Sequence, residues 1–241
     1  MPTIRINRAL AQAGVASRRG AEELVLAGRV TLNGAVVREL GTQVDLARDK
    51  LTLDGKPIKL MLKLSYYAYN KPRGIVSTLK DERGRAALAE VCDALPGKPR
   101  PVGRLDRASE GLLLLTSDGD LAHRLAHPSY GVRKEYLVTV QPRLTDVHAR
   151  QATAGVELED GPARFEGIEL LDQEHDRSRL RVVVSEGRNR LIRRVFEALG
   201  YTTLRLRRVR FGVVALGKLA PGETRPLSAD EVTQLRRQAK L

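Results

Sequence analysis

The feature that most constrains the fold is an unbroken run of four leucines at positions 112–115, which ends in a Thr-Ser-Asp-Gly turn at 116–119. A short apolar run bounded by turn residues predicts a strand that is covered on both faces. Asp106 lies just before this strand and has Arg104 and Arg107 on either side. An interior strand would hold the carboxylate of Asp106 close to positive charge. The spacing alone also fits an ordinary ion pair on a loop, which is what most neighbouring Asp and Arg residues form.

The charge of the chain predicts a polyanionic partner. The 241 residues carry a net charge of +13, and most of the excess is arginine, whose planar guanidinium pairs well with phosphate oxygens. No stretch approaches the roughly 20 apolar residues that a membrane-spanning helix needs. Arg5 and Arg8 interrupt any apolar core of a secretory signal. We therefore expect a cytoplasmic, monomeric protein without a membrane partner.

The first sixty residues predict a small α+β unit. An amphipathic helix ends at Gly14, and a second helix begins with Ser17 as its N-cap and ends at Gly28. Asn33-Gly34 and Asp54-Gly55 are strong signals for two tight hairpin turns. Two short helices that lead into hairpins are sufficient for an independent module.

The N-terminus of the second predicted helix is a candidate phosphate site, because Arg18 and Arg19 lie where backbone N–H groups also point outward. A solvated charged turn explains the same pair equally well. The motifs RINRALA at 5–11, SRR at 17–19 and GRV at 28–30 together resemble the S4 RNA-binding domain. The resemblance implies RNA binding through the two-helix face. Its candidate residues are Arg5, Arg8, Ser17, Arg18, Arg19 and Arg29.

Four further motifs resemble the catalytic core of the RsuA-like pseudouridine synthases. They are NKPRG at 70–74, GRLD at 103–106, GLLLLTSDG at 111–119 and, after a His-Pro at 127–128, KEY at 134–136. The resemblance implies isomerisation of uridine in ribosomal RNA without a cofactor or metal, because atoms are conserved and no redox step occurs. Asp106 would act at the ribose, either attacking C1' or abstracting a ribose proton.

The same resemblance implies roles for other residues of the site. Arg104 would displace the target base from its stack, and Tyr136 would support the flipped base, which needs an aromatic face. Lys71 would lie beside the active site and contact RNA. Tyr136 also has a structural reading, since a strand tyrosine most often packs in a core.

A basic helix is predicted between Asn189, as N-cap, and Gly200, as C-terminal stop. Its apolar residues gather on one face and its arginines on the other. A solvated face is the simpler reading of such a helix. The segment GRNRxxRR at 187–194 resembles the third motif of the synthase family, in which Arg193 would form a salt bridge with Asp106 and keep it ionised. Arg188, Asn189 and Arg190 would bind RNA.

The strand that follows changes phase along its length. Leu204 and Leu206 alternate with arginines, but Val209 and Phe211 fall on the opposite parity. One extra residue near positions 207–208 would reset the alternation, so we predict a bulge there. The outer face would then carry a row of arginines, of which Arg205 and Arg207 are candidate RNA contacts.

The predicted fold is α+β: an N-terminal S4 α+β module over 1–60, a linker at 61–65, and a larger, mainly antiparallel mixed-sheet pseudouridine synthase domain over 66–241. The motif at 187–194 and the segment GVELEDG at 155–161 most resemble the B-type synthases of large-subunit ribosomal RNA. A small-subunit target is the alternative within this enzyme class. A non-catalytic ribosome-assembly factor that clamps RNA is the alternative outside it.

Overall fold

A computed structural model describes residues 3–59, 64–78 and 88–241 of the chain. Its residues group into two compact units, which we describe separately. The first unit comprises residues 1–65, 93–99 and 117–119, and the second comprises 66–92, 100–116 and 120–241. The predicted linker at 61–65 lies mostly outside the described residues. No helix in the described ranges combines the length and apolarity needed to span a bilayer.

Within its described residues up to position 59, the first unit has two helices and two small sheets. Its elements are β1 (Thr3–Arg5), α1 (Ile6–Gln12), α2 (Arg18–Leu26), β2 (Val30–Leu32), β3 (Ala35–Val36), β4 (Gln43–Asp45), β5 (Leu51–Leu53) and β6 (Lys56–Ile58). One sheet has the order β3-β2-β5-β6, and β1 pairs with β4. Ile6, Leu10 and Val25 bring the two helices into one fully buried cluster.

The local sequence signals of this unit are confirmed. The Ser17 hydroxyl caps α2 by accepting a hydrogen bond from the Gly20 amide at 3.1 Å. Asn33 and Gly34 both have positive φ, 51° and 89°, as the tight β2–β3 turn requires. Asp54 and Gly55 do the same between β5 and β6. Turn chemistry therefore fixes the register of both hairpins.

The rest of the chain continues with further strands and helices. Its elements are β7 (Tyr66–Lys71), α3 (Ala89–Ala94), β8 (Arg100–Pro101), β9 (Glu110–Thr116), α4 (Gly119–Ala126), a 3-10 turn (Pro128–Tyr130), β10 (Lys134–Gln141), α5 (Asp146–Ala154), β11 (Gly167–Gln173), β12 (Ser178–Val184), α6 (Leu191–Ala198), β13 (Thr202–Phe211), β14 (Val214–Ala215), β15 (Thr224–Pro226) and α7 (Ala229–Gln238).

The described residues of the second unit form a mixed sheet. Its strand order is β11-β12-β10-β13-β9-β7-β15, with β14 paired to β13 and β8 to β9. Among the described strands the β9–β13 pair is the parallel one, and the other pairings are antiparallel. This arrangement confirms the predicted α+β class with a mainly antiparallel sheet. The four leucines of β9 are at most 2% exposed, as an interior strand requires.

The predicted phase change in β13 is confirmed, and the extra residue lies directly after the predicted pair 207–208. Tyr136 of β10 faces Arg208 and Glu135 faces Arg210, so Val209 is the inserted residue. A second register shift leaves Leu204 unpaired in the same way. The bulge predicted near 207–208 is therefore present, with Val209 as the extra residue, and Arg208 leaves the outer row of arginines. Its side chain points inward and is only 3% exposed.

Candidate active site

A cavity of about 240 Å³ opens in the second unit, where the loop before β9 meets β10, β13 and the start of α6. Its lining brings together residues that are distant in sequence. Among them are Arg104, Asp106, Lys134, Tyr136, Asn189 and Arg208. The cavity thus combines one carboxylate loop, one aromatic ring and several cations, which is the set that the sequence predicts for the synthase site, with additions.

The loop that carries Asp106 is held by main-chain and serine contacts. The Ser77 hydroxyl donates to the Leu105 carbonyl at 2.7 Å and accepts from the Leu105 amide at 3.0 Å. The Ser109 amide donates to the Asp106 carbonyl at 3.0 Å. Asp106 is half-buried at the cavity, whereas Arg104 and Arg107 are exposed. The backbone is therefore fixed around a carboxylate that a ligand can reach.

Arg193 does not form the predicted ion pair with Asp106 within the described part of the chain. Its guanidinium donates to the Thr203 carbonyl at 2.9 Å and to the Ala108 carbonyl at 3.3 Å. Burial lowers the pKa of Arg193, the charge of Arg190 lowers it further, and the charge of Asp106 opposes both. Arg193 and Asp106 therefore interact through their opposite charges without forming a salt bridge. The hydrogen bond from Arg193 to the Ala108 carbonyl holds the loop that carries Asp106.

Lys71 is a second buried cation near Asp106. The side chain is fully buried, and its ammonium donates to the carbonyls of Pro72 at 3.0 Å and Ser109 at 2.8 Å. Burial lowers the pKa of Lys71 to about 8, against the raising effect of the Asp106 and Glu110 charges. Lys71 therefore ties β7 to the loop before β9, a structural role that differs from the predicted RNA contact.

Tyr136 and Arg208 face each other across β10 and β13. One Nη of Arg208 donates to the Tyr136 hydroxyl at 3.4 Å, and its Nε donates to the Leu112 carbonyl at 2.7 Å. The guanidinium lies 6.0 Å from the centre of the Tyr136 ring and 4.9 Å from that of Phe211. These contacts fix the tyrosine that the sequence predicts as the support of the base.

The start of α6 differs from the prediction. Arg190, with φ of 48°, is the residue that precedes the helix, and it provides no side-chain cap. Asn189 is exposed and lines the cavity instead of capping α6. Gly200, with φ of 84°, ends the helix as predicted. The three residues before α6 line the cavity.

Arg188 binds protein groups on several sides. Its guanidinium donates to Glu186 at 2.8 Å, to the Gly161 carbonyl at 3.0 Å and to the Pro162 carbonyl at 2.7 Å. Asp160 contacts Arg188 and accepts two hydrogen bonds from Arg194, which lower the pKa of Asp160 to about 2. The sequence assigned no role to the segment at 155–165, yet Arg188 and Arg194 fasten it beside the cavity.

The other predicted RNA-binding residues differ in solvent exposure and in whether their side chains are paired with a carboxylate. Arg29 is paired with Asp54 at 2.9 Å, which raises the pKa of Arg29. Arg205 donates to Glu110 at 2.7 Å. Arg8 and Arg207 are half-buried. The remaining four candidates of the first unit are exposed: Arg5, Ser17, Arg18 and Arg19.

Sequence reasoning missed Lys134 and Arg208 as residues of the cavity. Lys134 is 5% exposed, and its ammonium donates to the Val132 and Ser185 carbonyls, both at 3.1 Å. The clean alternation of β10, with Tyr136 inward, already implied that Lys134 shares the inner face. Arg208 gave no such signal, because its direction depends on the position of the bulge.

The arrangement suits chemistry on a planar base attached to a sugar. A reachable carboxylate can act as a base or nucleophile, and an aromatic side chain can take up a ring that has left its stack. Among the residues that the structure describes, no three His, Cys, Asp or Glu side chains cluster as metal ligands would.

Comparison with known proteins identifies both units. Residues 65–198 match the RNA pseudouridylate synthase family and residues 4–51 match the S4 domain. An uncharacterized RNA pseudouridine synthase of Mycobacterium tuberculosis is 44% identical over 96% of this chain and 92% of its own length. The ribosomal large subunit pseudouridine synthase B of Bacillus subtilis is 37% identical over 96% and 95%.

A solved structure shows the same architecture. The crystal structure of a pseudouridylate synthase superimposes with a TM-score of 0.68 at 28% identity and covers 96% of this chain and 99% of its own. Asp106 and Tyr136 of the cavity lie within the part that the synthase family matches, whereas Leu206, Arg208 and Phe211 of its wall lie beyond residue 198. The chain carries an S4 RNA-binding domain and belongs to the RNA pseudouridine synthases, which are isomerases that act on RNA.

Proposed function

We propose that this enzyme converts one specific uridine of large-subunit ribosomal RNA into pseudouridine, with Asp106 as the reacting carboxylate. The observation that carries the proposal is the position of Asp106, half-buried on a braced loop at the cavity that Tyr136 also lines. The cavity of about 240 Å³ has room for a single base. Relatives at 37% and 40% identity, from Bacillus subtilis and Xanthomonas campestris, are named for the large subunit.

The reaction breaks the bond between uracil N1 and ribose C1', turns the base and joins C5 to C1'. In one route Asp106 attacks C1' and forms an ester, which C5 then displaces. In the other, Asp106 removes a proton from C2' and leaves a glycal, to which C5 adds before the proton returns. In both routes C5 finally loses a proton and N1 gains one, so no external reactant is consumed.

The surrounding residues have separate tasks in this proposal. Arg104, exposed at the rim, takes the place of the displaced base, and Tyr136 receives the flipped ring. Arg193 steadies the Asp106 loop through its hydrogen bond to the Ala108 carbonyl. Arg5, Ser17, Arg18 and Arg19 of the S4 domain bind phosphates. The cytoplasmic location and the monomeric state expected from the sequence stay predictions.

The test uses ribosomal RNA labelled with tritium at uracil C5, since joining C5 to C1' releases this label. Wild type should release tritium from large-subunit RNA or its assembly intermediates, and Asp106→Asn should release none above background. Equal release by both proteins would disprove the role of Asp106. Release from small-subunit RNA alone would replace the proposed target with the small subunit.

A further inference from the structure

Two buried cations line the cavity without a carboxylate partner. Lys134 and Arg208 are 5% and 3% exposed. In the described part of the chain neither forms an ion pair, and their hydrogen bonds go to main-chain carbonyls and to the Tyr136 hydroxyl. One terminal nitrogen of Arg208, Nη2, is buried with no hydrogen-bond partner. Such groups are costly, and proteins seldom retain them without a use.

Two of the neighbouring carboxylates, Glu166 and Glu186, are engaged with arginines outside the pair. Glu166, the carboxylate whose charge acts on Lys134, is bound to Arg133 at 2.6 Å. Glu186, which also lines the cavity, is bound to Arg188. Burial and, to a smaller extent, the charge of Arg208 together lower the pKa of Lys134 to about 8. Asp106 lines the same cavity but forms no salt bridge with either cation in the described part of the chain, so the pair has no carboxylate in direct contact at the cavity wall.

The two cations share an aromatic partner, which favours a flat ligand beside them. The Lys134 ammonium lies 5.3 Å from the centre of the Phe211 ring, and the Arg208 guanidinium lies 4.9 Å from it. Tyr136 and Phe211 both line the cavity. A planar anion contacts aromatic rings and buried cations at once, whereas a tetrahedral phosphate uses only the charges.

The proposed reaction generates such an anion. Whether Asp106 attacks C1' or removes the C2' proton, the electron pair of the N1–C1' bond departs with the base. The detached base is then uracilate, a planar imide anion with its charge on N1, O2 and O4. A positive potential at the cavity wall lowers the energy of this species and of the transition states that lead to it.

We propose that Lys134 and Arg208 form an anion site that holds the detached base as uracilate while it turns, an inference that rests on the proposed function. Lys134 has one N–H left after its two carbonyl contacts, and Arg208 has the unpartnered Nη2. A half-turn about the N3–C6 axis of uracil exchanges N1 with C5 and O2 with O4. The same two donors therefore serve the base before and after it turns.

The test measures binding of a small anionic probe to the full chain, so it needs no turnover. The probe is 5-nitrouracil, which ionises readily, and the matched neutral ligand is 1,3-dimethyl-5-nitrouracil, which cannot. By calorimetry at a pH where 5-nitrouracil is ionised and Lys134 is charged, wild type should bind the anion about tenfold or more tightly than the neutral ligand. Equal affinities would overturn the proposal, as would inorganic phosphate that binds as tightly and displaces the probe.

Substitutions of single residues test whether Arg208 forms part of the anion site. Arg208→Met should weaken binding of the anion about tenfold and leave the neutral ligand within about twofold, while Arg208→Lys should keep the preference. Arg210→Met is the matched control, because Arg210 lies on the same strand but is exposed and paired with Glu135 at 3.2 Å. An equal loss of anion binding in Arg210→Met would refute the assignment.

A misfolded variant, a failure of this inference and a failure of the proposed function give different results. If Arg208→Met does not fold by thermal unfolding, Lys134→Met and the wild-type comparison of the two ligands decide the question. A wild type that forms pseudouridine but does not prefer the anion refutes this inference alone. A wild type that prefers the anion but forms no pseudouridine on any ribosomal RNA refutes the proposed function.

Discussion

Gly111 approaches Arg208 so closely that a Cβ on Gly111 would lie 2.2 Å from the Arg208 carbonyl oxygen. The two residues face each other where β9 and β13 pair in parallel. Gly111 also has φ of 101°, which residues with a side chain rarely adopt. This contact sets the strand that follows the Asp106 loop against the strand that carries the buried cation.

Gly111→Ala should therefore destabilise the enzyme by about 3 kcal/mol or more, since neither backbone can move away and the φ is unfavourable. Urea unfolding measures the difference. Gly119→Ala is the control, because an added Cβ there meets nothing within 4 Å. A loss as large in the control as in Gly111→Ala would show that the close contact is not the cause.

Arg193→Lys should slow the reaction mainly through kcat. An ammonium cannot reproduce the fork that joins the carbonyls of Thr203 and Ala108, so the Asp106 loop loses a tether while the charge remains. We expect a fall of about 10²-fold in kcat with little change in KM for RNA. Steady-state tritium release measures both constants. A change confined to KM would place Arg193 in substrate binding instead.

The two lysines with lowered pKa predict a stability that rises at alkaline pH. Lys71 and Lys134 have ordinary values of 10.5 and folded values of about 8. Between these values the unfolded chain holds protons that the folded chain has lost, so the free energy of unfolding rises with pH, by at most about 1.4 kcal/mol per pH unit for each lysine.

Lys71→Met should flatten this rise, and Lys218→Met, which removes an exposed lysine, should leave it unchanged. Urea unfolding of the three proteins from pH 7 to 10.5 gives the slopes. The groups whose charges act on Lys71 are Asp106, Glu110 and Arg208. A slope in Lys71→Met identical to that of wild type would show that Lys71 does not titrate in this range.

Arg188→Ala should release the segment at 160–162. Arg188 binds the carbonyls of Asp160, Gly161 and Pro162, so its loss leaves Arg194 as the arginine that holds this turn through Asp160. Hydrogen exchange of the amides at 158–164 should accelerate about tenfold, the equivalent of about 1.4 kcal/mol of lost local stability. Arg179→Ala, a change at an exposed strand position, should leave those amides unchanged.

Arg18→Ala and Arg19→Ala should each weaken RNA binding and reduce its salt dependence. Each lost phosphate contact should lower the slope of log K against log salt by about 0.7 for single-stranded RNA. Arg29→Ala should have a smaller effect, because Arg29 is already paired with Asp54. Filter binding between low and high salt gives the slopes. Unchanged slopes in Arg18→Ala and Arg19→Ala would move the RNA contact away from the start of α2.

The sequence predicted what local chemistry determines. Ser17 caps its helix, the Asn-Gly turn and the Asp-Gly turn have the expected positive φ, and the four leucines form an interior strand. Each of these signals depends on residues that are only a few positions apart. The resemblance to a family then supplied the association of Asp106 with Tyr136, which no local pattern contains.

What the sequence could not supply depends on single-residue register and on distant carbonyls. The position of one inserted residue decides whether Arg207 or Arg208 points inward. The alternation of apolar and polar residues cannot show which of two neighbouring positions holds that inserted residue. The partners of Arg193 and Lys71 are main-chain carbonyls on other segments, which carry no sequence signature. An ion pair between Arg193 and Asp106 was the natural expectation, and the structure replaces it with two carbonyl contacts.

The parallel pairing of β9 with β13 also fixes when the enzyme can become competent during its synthesis. The Nε of Arg208 and the carbonyl of Leu112 that it binds are 96 positions apart. A ribosome that has just delivered Asp106, Tyr136 and Lys134 has produced a chain whose β9 still lacks this neighbour. Contacts between such distant segments form late, so catalytic competence begins only once β13 has emerged and closed the sheet.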